Sequence, residues 1–155
     1  MALHTAVFLL FVVSLVGCGE GLCPGEVDGP CKGNLYIEPI GSDAVVSYEQ
    51  LKQMLASGDV QLFDVREPDE FVEGAIPSAT NIPLSELEQA FTLTPDQFTE
   101  LYGVFMPGKN DPNFVLHCQR GRRSLNALEI IQRLGYSRAR HYAGGYGEWV
   151  QREAQ

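Results

Sequence analysis

From residue 44 onward, short apolar runs alternate with stretches in which apolar residues recur every three or four positions. The runs are typical of buried strands, and the spaced stretches are typical of amphipathic helices. Strands and helices in regular alternation predict an α/β fold, with a central, mostly parallel β-sheet and helices on both faces. The expected strands span residues 44–46, 61–65, 79–82, 114–117 and 139–143.

Cap residues predict where helices begin and end. Ser47, with Gln50 three residues later, predicts a capping box at the start of the first helix, and Gly58 predicts its end. Thr94 followed by Pro95 predicts a second start of the same kind, because proline is favoured in the first turn of a helix.

The helix that starts after Thr94 lies in a long helical insert at 84–106 and is expected to bury one apolar face. Its expected buried residues are Phe98, Leu101, Tyr102 and Phe105. The chain around Pro68 is expected to form a loop. Two more helices are expected, one from Ser124 to the turn at Gly135 and one after Gly145.

The first 19 residues have a different pattern. An apolar run at 7–13 leads into small residues, which is the layout of a secretory signal peptide, although no Lys or Arg precedes the run. The run is too short to cross a bilayer, which takes about 20 apolar residues. We therefore expect a signal-peptide-like segment at 1–19, a Gly/Pro-rich linker at 20–43 and one folded domain at 44–153.

Three cysteines lie in this N-terminal part. Residues 15–18 resemble a bacterial lipobox, so a membrane-anchored lipoprotein, lipidated at Cys18, is an alternative to a secreted or extracytoplasmic protein. Cys23 and Cys31 either pair in an oxidising compartment or stay free. No His or second Cys-x-x-Cys motif lies near enough to them to suggest zinc.

The composition fits one globular domain. The chain has 155 residues, 45% of them hydrophobic and 20% charged, which allows one full hydrophobic core. Its net charge of -9 argues against binding to nucleic acid or to an anionic membrane surface, because both reward clustered Lys and Arg. A monomer is the default expectation.

Cys118 is the only cysteine beyond residue 31, and it directly follows the apolar run 114–117. Arg120, Arg122 and Arg123 come next, at the start of a helical pattern. Guanidinium groups and a helix N-terminus both favour a thiolate over a thiol. A strand, a short loop and a helix in this order direct backbone N–H groups into one concavity. The sequence therefore predicts a cysteine nucleophile beside an anion-binding loop.

The length of this loop indicates which group it can surround. Four residues lie between Cys118 and Arg123, whereas cysteine phosphatases need one residue more to surround a phosphate. The shorter loop suits a single sulfur atom on the cysteine better than a phosphoryl group. A cysteine phosphatase and an arsenate reductase are therefore disfavoured alternatives.

Several motifs occur together over residues 44–151. They are Asp64-Val65-Arg66, Glu70-Phe71, residues 74–79, residues 81–83, residues 118–124, and residues 142–145 with Trp149. Together they resemble the single-domain rhodanese family of sulfurtransferases, and more narrowly the small animal thiosulfate:glutathione sulfurtransferases. Ala75 departs from the family pattern, since many rhodaneses have His there. The signal-like N-terminus also departs from the small cytosolic relatives, so the compartment cannot be inferred from them. A cytoplasmic location, as in those relatives, is a further alternative to a secreted or extracytoplasmic one.

The resemblance implies an enzyme that moves the sulfane sulfur of thiosulfate, through a persulfide on Cys118, to glutathione or another thiol, or to cyanide. It implies no metal and no cofactor. Cys118 and Arg123 are the implied catalytic residues, while Asp64 and Arg66 are expected to be structural or to line the pocket. The implied substrate-binding residues are Gln119, Arg120, Gly121, Arg122 and Ser124.

Two further expectations concern this region. His117 alternates away from Cys118 on the same strand and is expected to be a core histidine with its hydrogen bonds satisfied. A non-catalytic or sulfur-carrier rhodanese module is the main alternative function, although such domains commonly lose the cysteine that is retained at 118.

Overall fold

The structure, a computed structural model, describes residues 41–155. The signal-like segment and almost all of the linker, including Cys18, Cys23 and Cys31, lie outside the described residues, and their roles stay predictions. A short 3-10 turn at Ser42–Ala44 precedes the sheet. The strands are β1 (Val45–Val46), β2 (Gln61–Asp64), β3 (Thr80–Asn81), β4 (Phe114–His117) and β5 (Arg140–Tyr142). The helices are α1 (Tyr48–Ser57), α2 (Pro68–Glu73), α3 (Leu84–Ala90), α4 (Pro95–Tyr102), α5 (Arg122–Arg133) and α6 (Gly145–Glu153).

The five strands form one parallel sheet in the order β1-β5-β4-β2-β3. β4 lies at the centre and all four of its residues are buried. This confirms the predicted α/β fold. The register places Asp64 of β2 opposite His117 of β4. Because the carboxyl ends of parallel strands meet at one edge, the chain after Asp64 and the chain after His117 emerge side by side.

Each face of the sheet carries its own hydrophobic core, as the alternation of side chains along the strands requires. One core packs β2 and β4 against α3, α4 and α5, and it contains aromatic rings whose centroids lie 5.2–6.2 Å apart. These rings belong to Phe63, Phe91, Phe98, Phe114 and Tyr136. The other core packs α1 and α6 against Leu62 and Val115.

The predicted capping boxes are confirmed. Ser47 and Gln50 exchange side-chain and backbone hydrogen bonds at the start of α1, which ends at Gly58. Thr94 and Gln97 do the same at the start of α4. Such caps satisfy backbone N–H groups that have no partner inside the helix.

The expected apolar face of α4 is wrong at two positions. The helix ends at Tyr102, with Gly103 as its C-cap, so Phe105 lies outside it and is 84% exposed. Leu101 is 65% exposed. The reason is that this short helix buries only the narrow stripe that includes Phe98 and Tyr102, whose rings pack together.

The loop expected around Pro68 is also wrong, because residues Pro68–Glu73 form α2. None of its residues is buried, so it has no hydrophobic stripe for a sequence pattern to detect. Pro68 occupies the first turn, and Glu70 accepts a hydrogen bond from the Glu67 N–H, 3.2 Å away. Local capping therefore accounts for this helix better than packing does.

A search of the described residues for membrane spans finds no helix with the length and apolar character that crossing a bilayer requires.

The buried histidines predict how stability depends on pH. Burial lowers the pKa of His117 from 6.5 to about 4, although Asp64 opposes this, and burial also lowers the pKa of His141. The unfolded chain then binds protons that the folded chain does not, so the free energy of unfolding falls as the pH drops from 6.5 towards 4. For His117 alone, a pKa change of this size corresponds to on the order of 3 kcal/mol.

Urea unfolding at a series of pH values measures this effect. His117→Gln should unfold with a shallower pH dependence than the wild type between pH 6.5 and 4, because His141 and the other groups are unchanged. Equal slopes for the two proteins over that interval would contradict the lowered pKa of His117.

Glu70 affects stability in a lower pH range. Its pKa is lowered to about 2, chiefly by its hydrogen bond with Arg123, so its contribution to the free energy of unfolding is lost only as the pH falls below its usual pKa of 4.5.

Candidate active site

Cys118 directly follows β4, at the edge of the sheet where parallel strands end. Its thiol is free, and the residue is 1% exposed. The predicted nucleophile therefore lies at the base of the loop that joins β4 to α5. A reagent must approach it from the side of the loop, since the sheet and the core occupy the other side.

The loop turns sharply into α5 at Gly121. This residue is the N-cap of the helix and has a φ of 80°, in the left-handed region that favours glycine. A Cβ at this position would lie 2.2 Å from the Ala143 carbonyl oxygen, so the space also excludes a larger residue. As a result α5 begins at Arg122, two residues earlier than predicted, and its N-terminus lies directly after the loop.

Backbone N–H groups of this loop are available to a ligand. Within residues 41–155, the N–H groups of Gln119, Arg120 and Gly121 have no hydrogen-bond acceptor. The first turn of α5 adds further donors, because the first N–H groups of a helix have no partner within it. Together they provide the kind of site that binds an anion at a helix N-terminus.

The first turn of α6 holds the other side of the loop. The Tyr146 N–H donates to the Cys118 carbonyl oxygen at 2.8 Å, and the Gly147 N–H donates to the Gln119 carbonyl oxygen at 3.1 Å. Gly145 has a φ of 64°, and a Cβ there would lie 2.4 Å from the Cys118 carbonyl oxygen. Gly145 thus lets α6 approach the nucleophile's backbone closely.

Arg66 connects the ends of β2 and β4. Its Nε donates to both oxygens of Asp64, at 3.0 and 2.9 Å, and one terminal nitrogen donates to Asp64 at 2.6 Å. The same nitrogen donates to the Gly74 carbonyl oxygen at 2.7 Å, and the other donates to Gln119 Oε1 at 3.3 Å. The guanidinium also stacks 4.3 Å from the centre of the Tyr146 ring. Arg66 and Asp64 are both buried, so the pair holds neighbouring segments of the protein together and is not exposed to bind a substrate.

Arg123 is paired with Glu70 of α2. Two guanidinium nitrogens donate to the two carboxylate oxygens at 2.5 and 2.8 Å, and both side chains are about one third exposed. The hydrogen bond from Arg123 is the main reason that the pKa of Glu70 falls to about 2. The hydrogen bond to Glu70 in turn raises the pKa of Arg123. The predicted catalytic arginine is thus held beside the loop by a carboxylate at all ordinary pH values.

The other predicted site residues divide into two groups. Arg120, in the loop, and Arg122, the first residue of α5, are both exposed, and we refer to these two positions as the mouth of the loop. Ser124 is buried instead, and its hydroxyl donates to the Gly121 carbonyl oxygen at 3.1 Å and lies 3.2 Å from His141 Nδ1. Its hydroxyl therefore supports the loop from inside the protein.

His117 is buried in the core, as predicted, but its hydrogen bonding is not satisfied. Nδ1 lies 3.5 Å from the Cys118 carbonyl oxygen, while Nε2 has no hydrogen-bond partner and lies 3.6 Å from Asp64. The expectation of a satisfied histidine is thus wrong for Nε2. The nearest oxygen of Asp64, Oδ2, already accepts hydrogen bonds from Nε and a terminal nitrogen of Arg66.

Sequence reasoning missed three contributors to the site. Glu70 and Asn81 stand out in the sequence only as parts of motifs, and nothing in the sequence indicates that Tyr146 stacks on Arg66. Asn81 donates to the Asp64 and Arg66 carbonyl oxygens at 3.0 and 2.9 Å. The sequence Glu67-Pro68-Asp69-Glu70 carries the proline and acidic residues of a helix N-terminus, which would have indicated α2.

The described residues contain no group of three or more His, Cys, Asp or Glu side chains that could hold a metal ion.

Comparison with known proteins agrees with this geometry. Residues 47–152 match the model of the rhodanese-like domain. The chain is 46% identical over 109 residues to human thiosulfate:glutathione sulfurtransferase, covering 70% of this chain and 95% of that protein. It is 32% identical over 106 residues to the Saccharomyces cerevisiae protein of the same name, covering 67% of this chain and 76% of the yeast protein.

A solved structure supports the same assignment. The human single-domain sulfurtransferase superposes with a TM-score of 0.67 at 45% sequence identity, covering 70% of this chain and 96% of the human one. The sheet order, the loop after β4 and the sequence similarity lead to one conclusion: the chain belongs to the rhodanese family.

Proposed function

We propose that this protein is a thiosulfate sulfurtransferase that carries sulfur on Cys118 and delivers it to a thiol such as glutathione. The observation that carries the proposal is the position of Cys118 at the base of a loop whose backbone N–H groups have no acceptor among the described residues. The relatives named thiosulfate:glutathione sulfurtransferase support the identity of the donor and the acceptor.

In the first half-reaction the Cys118 thiolate attacks the outer sulfur of thiosulfate. A bond forms between Sγ and that sulfur, the sulfur–sulfur bond of thiosulfate breaks, and sulfite leaves with the electron pair. The free N–H groups of the loop and the first turn of α5 would stabilise the anionic donor. The exposed guanidinium groups of Arg120 and Arg122 would draw its sulfonate end inward.

In the second half-reaction a thiolate acceptor attacks the outer sulfur of the Cys118 persulfide. A new sulfur–sulfur bond forms on the acceptor, and Cys118 leaves as a thiolate, which completes a ping-pong cycle. Cyanide would remove the same sulfur as thiocyanate. Each half-reaction balances without a metal or a redox cofactor, because the only bonds that change are between sulfur atoms or between sulfur and carbon.

Replacing the nucleophile tests the proposal directly. After incubation with thiosulfate, the wild-type protein should gain about 32 Da on Cys118 and release one sulfite per chain. Cys118→Ser should show neither the adduct nor sulfite, because a hydroxyl at this position is a much weaker nucleophile. Mass spectrometry of the intact protein and a sulfite assay measure the two products.

The N-terminal cysteines provide the matched control. A variant with Cys18, Cys23 and Cys31 all changed to serine should load sulfur as the wild type does, since Cys118 alone is embedded in the loop. Sulfite release by Cys118→Ser at the wild-type rate would overturn the proposed nucleophile.

The ion pair between Arg123 and Glu70 predicts a rescue. Arg123→Ala should slow sulfur loading by about tenfold or more, because it removes a cation and leaves the Glu70 carboxylate uncompensated near an anionic donor. Adding Glu70→Gln to Arg123→Ala should recover part of the loss by removing that negative charge. Both side chains are partly exposed, so the variants should remain folded.

The measurement is the second-order rate constant of sulfite release in the first turnover, at thiosulfate concentrations well below saturation, with thermal unfolding as the control for folding. A double variant that is as slow as Arg123→Ala, with both proteins folded, would show that the charge of Glu70 has no part in donor binding.

A further inference from the structure

Some positively charged side chains of this acidic protein have a hydrogen-bond acceptor or a carboxylate partner, and others have neither; we call the latter uncommitted. All Lys and Arg residues except Lys32 lie in the described part of the chain. Most of them have hydrogen-bond acceptors or carboxylate partners there. Arg120, Arg122 and Arg133 are the exceptions among residues 41–155, and all three are exposed. Two of these three uncommitted cations therefore lie at the mouth of the loop that carries Cys118, Arg120 in the loop itself and Arg122 at the start of α5.

The other two arginines near the loop are each paired with a carboxylate. Asp64 compensates Arg66, and Glu70 compensates Arg123. The positive potential at the mouth of the loop therefore comes from Arg120 and Arg122. A cleft lined by charge of one sign attracts ligands of the opposite sign and raises their local concentration.

The helix that neighbours the site, α2, is acidic. Glu67, Asp69 and Glu73 are exposed on or beside α2, the helix that contacts the loop through Glu70 and Arg123. An acceptor with a negative group is therefore disfavoured on the α2 side and favoured on the side of Arg120 and Arg122. A positively charged acceptor experiences the reverse, and the loop side repels it.

We propose that Arg120 and Arg122 select the sulfur acceptor by its charge, so that small thiols bearing a carboxylate or sulfonate are preferred over neutral and cationic thiols. The proposal rests on the proposed function, because it concerns the second half-reaction. The acceptor thiolate forms a bond to the outer persulfide sulfur, the bond from that sulfur to Sγ breaks, and Cys118 leaves as the thiolate. The two arginines hold the acceptor's distant anionic group while this exchange occurs.

Three thiols of nearly equal size isolate the effect of charge: 2-mercaptoethanesulfonate, 2-mercaptoethanol and cysteamine. The protein is first loaded fully with thiosulfate, freed of small molecules and checked for the persulfide by mass. Each acceptor is then mixed with it, and the rate of persulfide loss is expressed per concentration of thiolate, which removes differences in thiol pKa. Starting from loaded protein keeps the donor's own charge out of the measurement.

The sulfonate should react fastest and the ammonium slowest, with a ratio of about tenfold or more at low salt. The ratio should shrink at about 0.5 M salt, where charges are screened over a few ångströms. In the Arg120→Gln/Arg122→Gln double variant the ratio should fall to one or below, because the exposed acidic side chains of α2 remain.

Arg133→Gln is the matched control. It removes one uncommitted, exposed arginine at the far end of α5, about 16 Å along the helix axis from Arg122. It changes the net charge by one but leaves the mouth of the loop intact, so the ratio between the sulfonate and the ammonium thiol should stay at the wild-type value. The single variants Arg120→Gln and Arg122→Gln match its charge change and should each lower the ratio.

Equal rates for the three thiols in the wild type would overturn the proposal, and so would a ratio that survives in the double variant or falls as much in Arg133→Gln. These outcomes leave the proposed function standing, because the persulfide has formed and been discharged. Failure of the wild-type protein to form the persulfide at all would instead overturn the proposed function, and this inference with it.

Discussion

A guanidinium group that is removed from water must find acceptors for its donors inside the protein, or the fold loses several kcal/mol. Arg66 is 2% exposed and meets this demand with Asp64, the Gly74 carbonyl oxygen and Gln119, while Tyr146 packs on its face. The end of β2, the end of α2, the loop after β4 and the start of α6 are therefore tied to one buried charge pair. No one of these segments can shift far without leaving a buried donor or carboxylate unpaired.

The arrangement separates two uses of positive charge. The charges of Arg66 and Arg123 are balanced by carboxylates and serve to fix geometry, whereas Arg120 and Arg122 are unbalanced and exposed, so they act on molecules that approach. The backbone of the loop follows the same division. The Cys118 and Gln119 carbonyl oxygens are held by N–H groups of α6, and the loop's own N–H groups remain available to a ligand. This division explains how a protein with a net charge of -9 can present a site for anions.

The sequence was sufficient for features that are local or periodic. The parallel sheet followed from apolar runs, the start of α1 from Ser47 and Gln50, and the candidate nucleophile from the contiguous segment 118–124. Features that depend on distant contacts could not be predicted. Glu70 and Arg123 lie 53 positions apart, and the contact of Gly145 with the Cys118 carbonyl oxygen joins two segments that only the sheet brings together. α2 was missed because it buries no residue, and Leu101 was misassigned because apolar spacing does not reveal how narrow a helix contact is.

The central claim is that the buried Asp64–Arg66 pair positions the Cys118 loop for sulfur transfer. The most direct test is the single-turnover rate of sulfur loading from thiosulfate in Arg66→Lys, measured at a temperature where circular dichroism shows the variant to be folded. Lysine keeps the positive charge but cannot reach Asp64, Gly74 and Gln119 together. If the buried pair sets the position of the loop, the folded variant should load sulfur at least about tenfold more slowly than the wild type, because misplaced groups lose much of their catalytic effect. Loading within about twofold of the wild-type rate in the folded variant would contradict it.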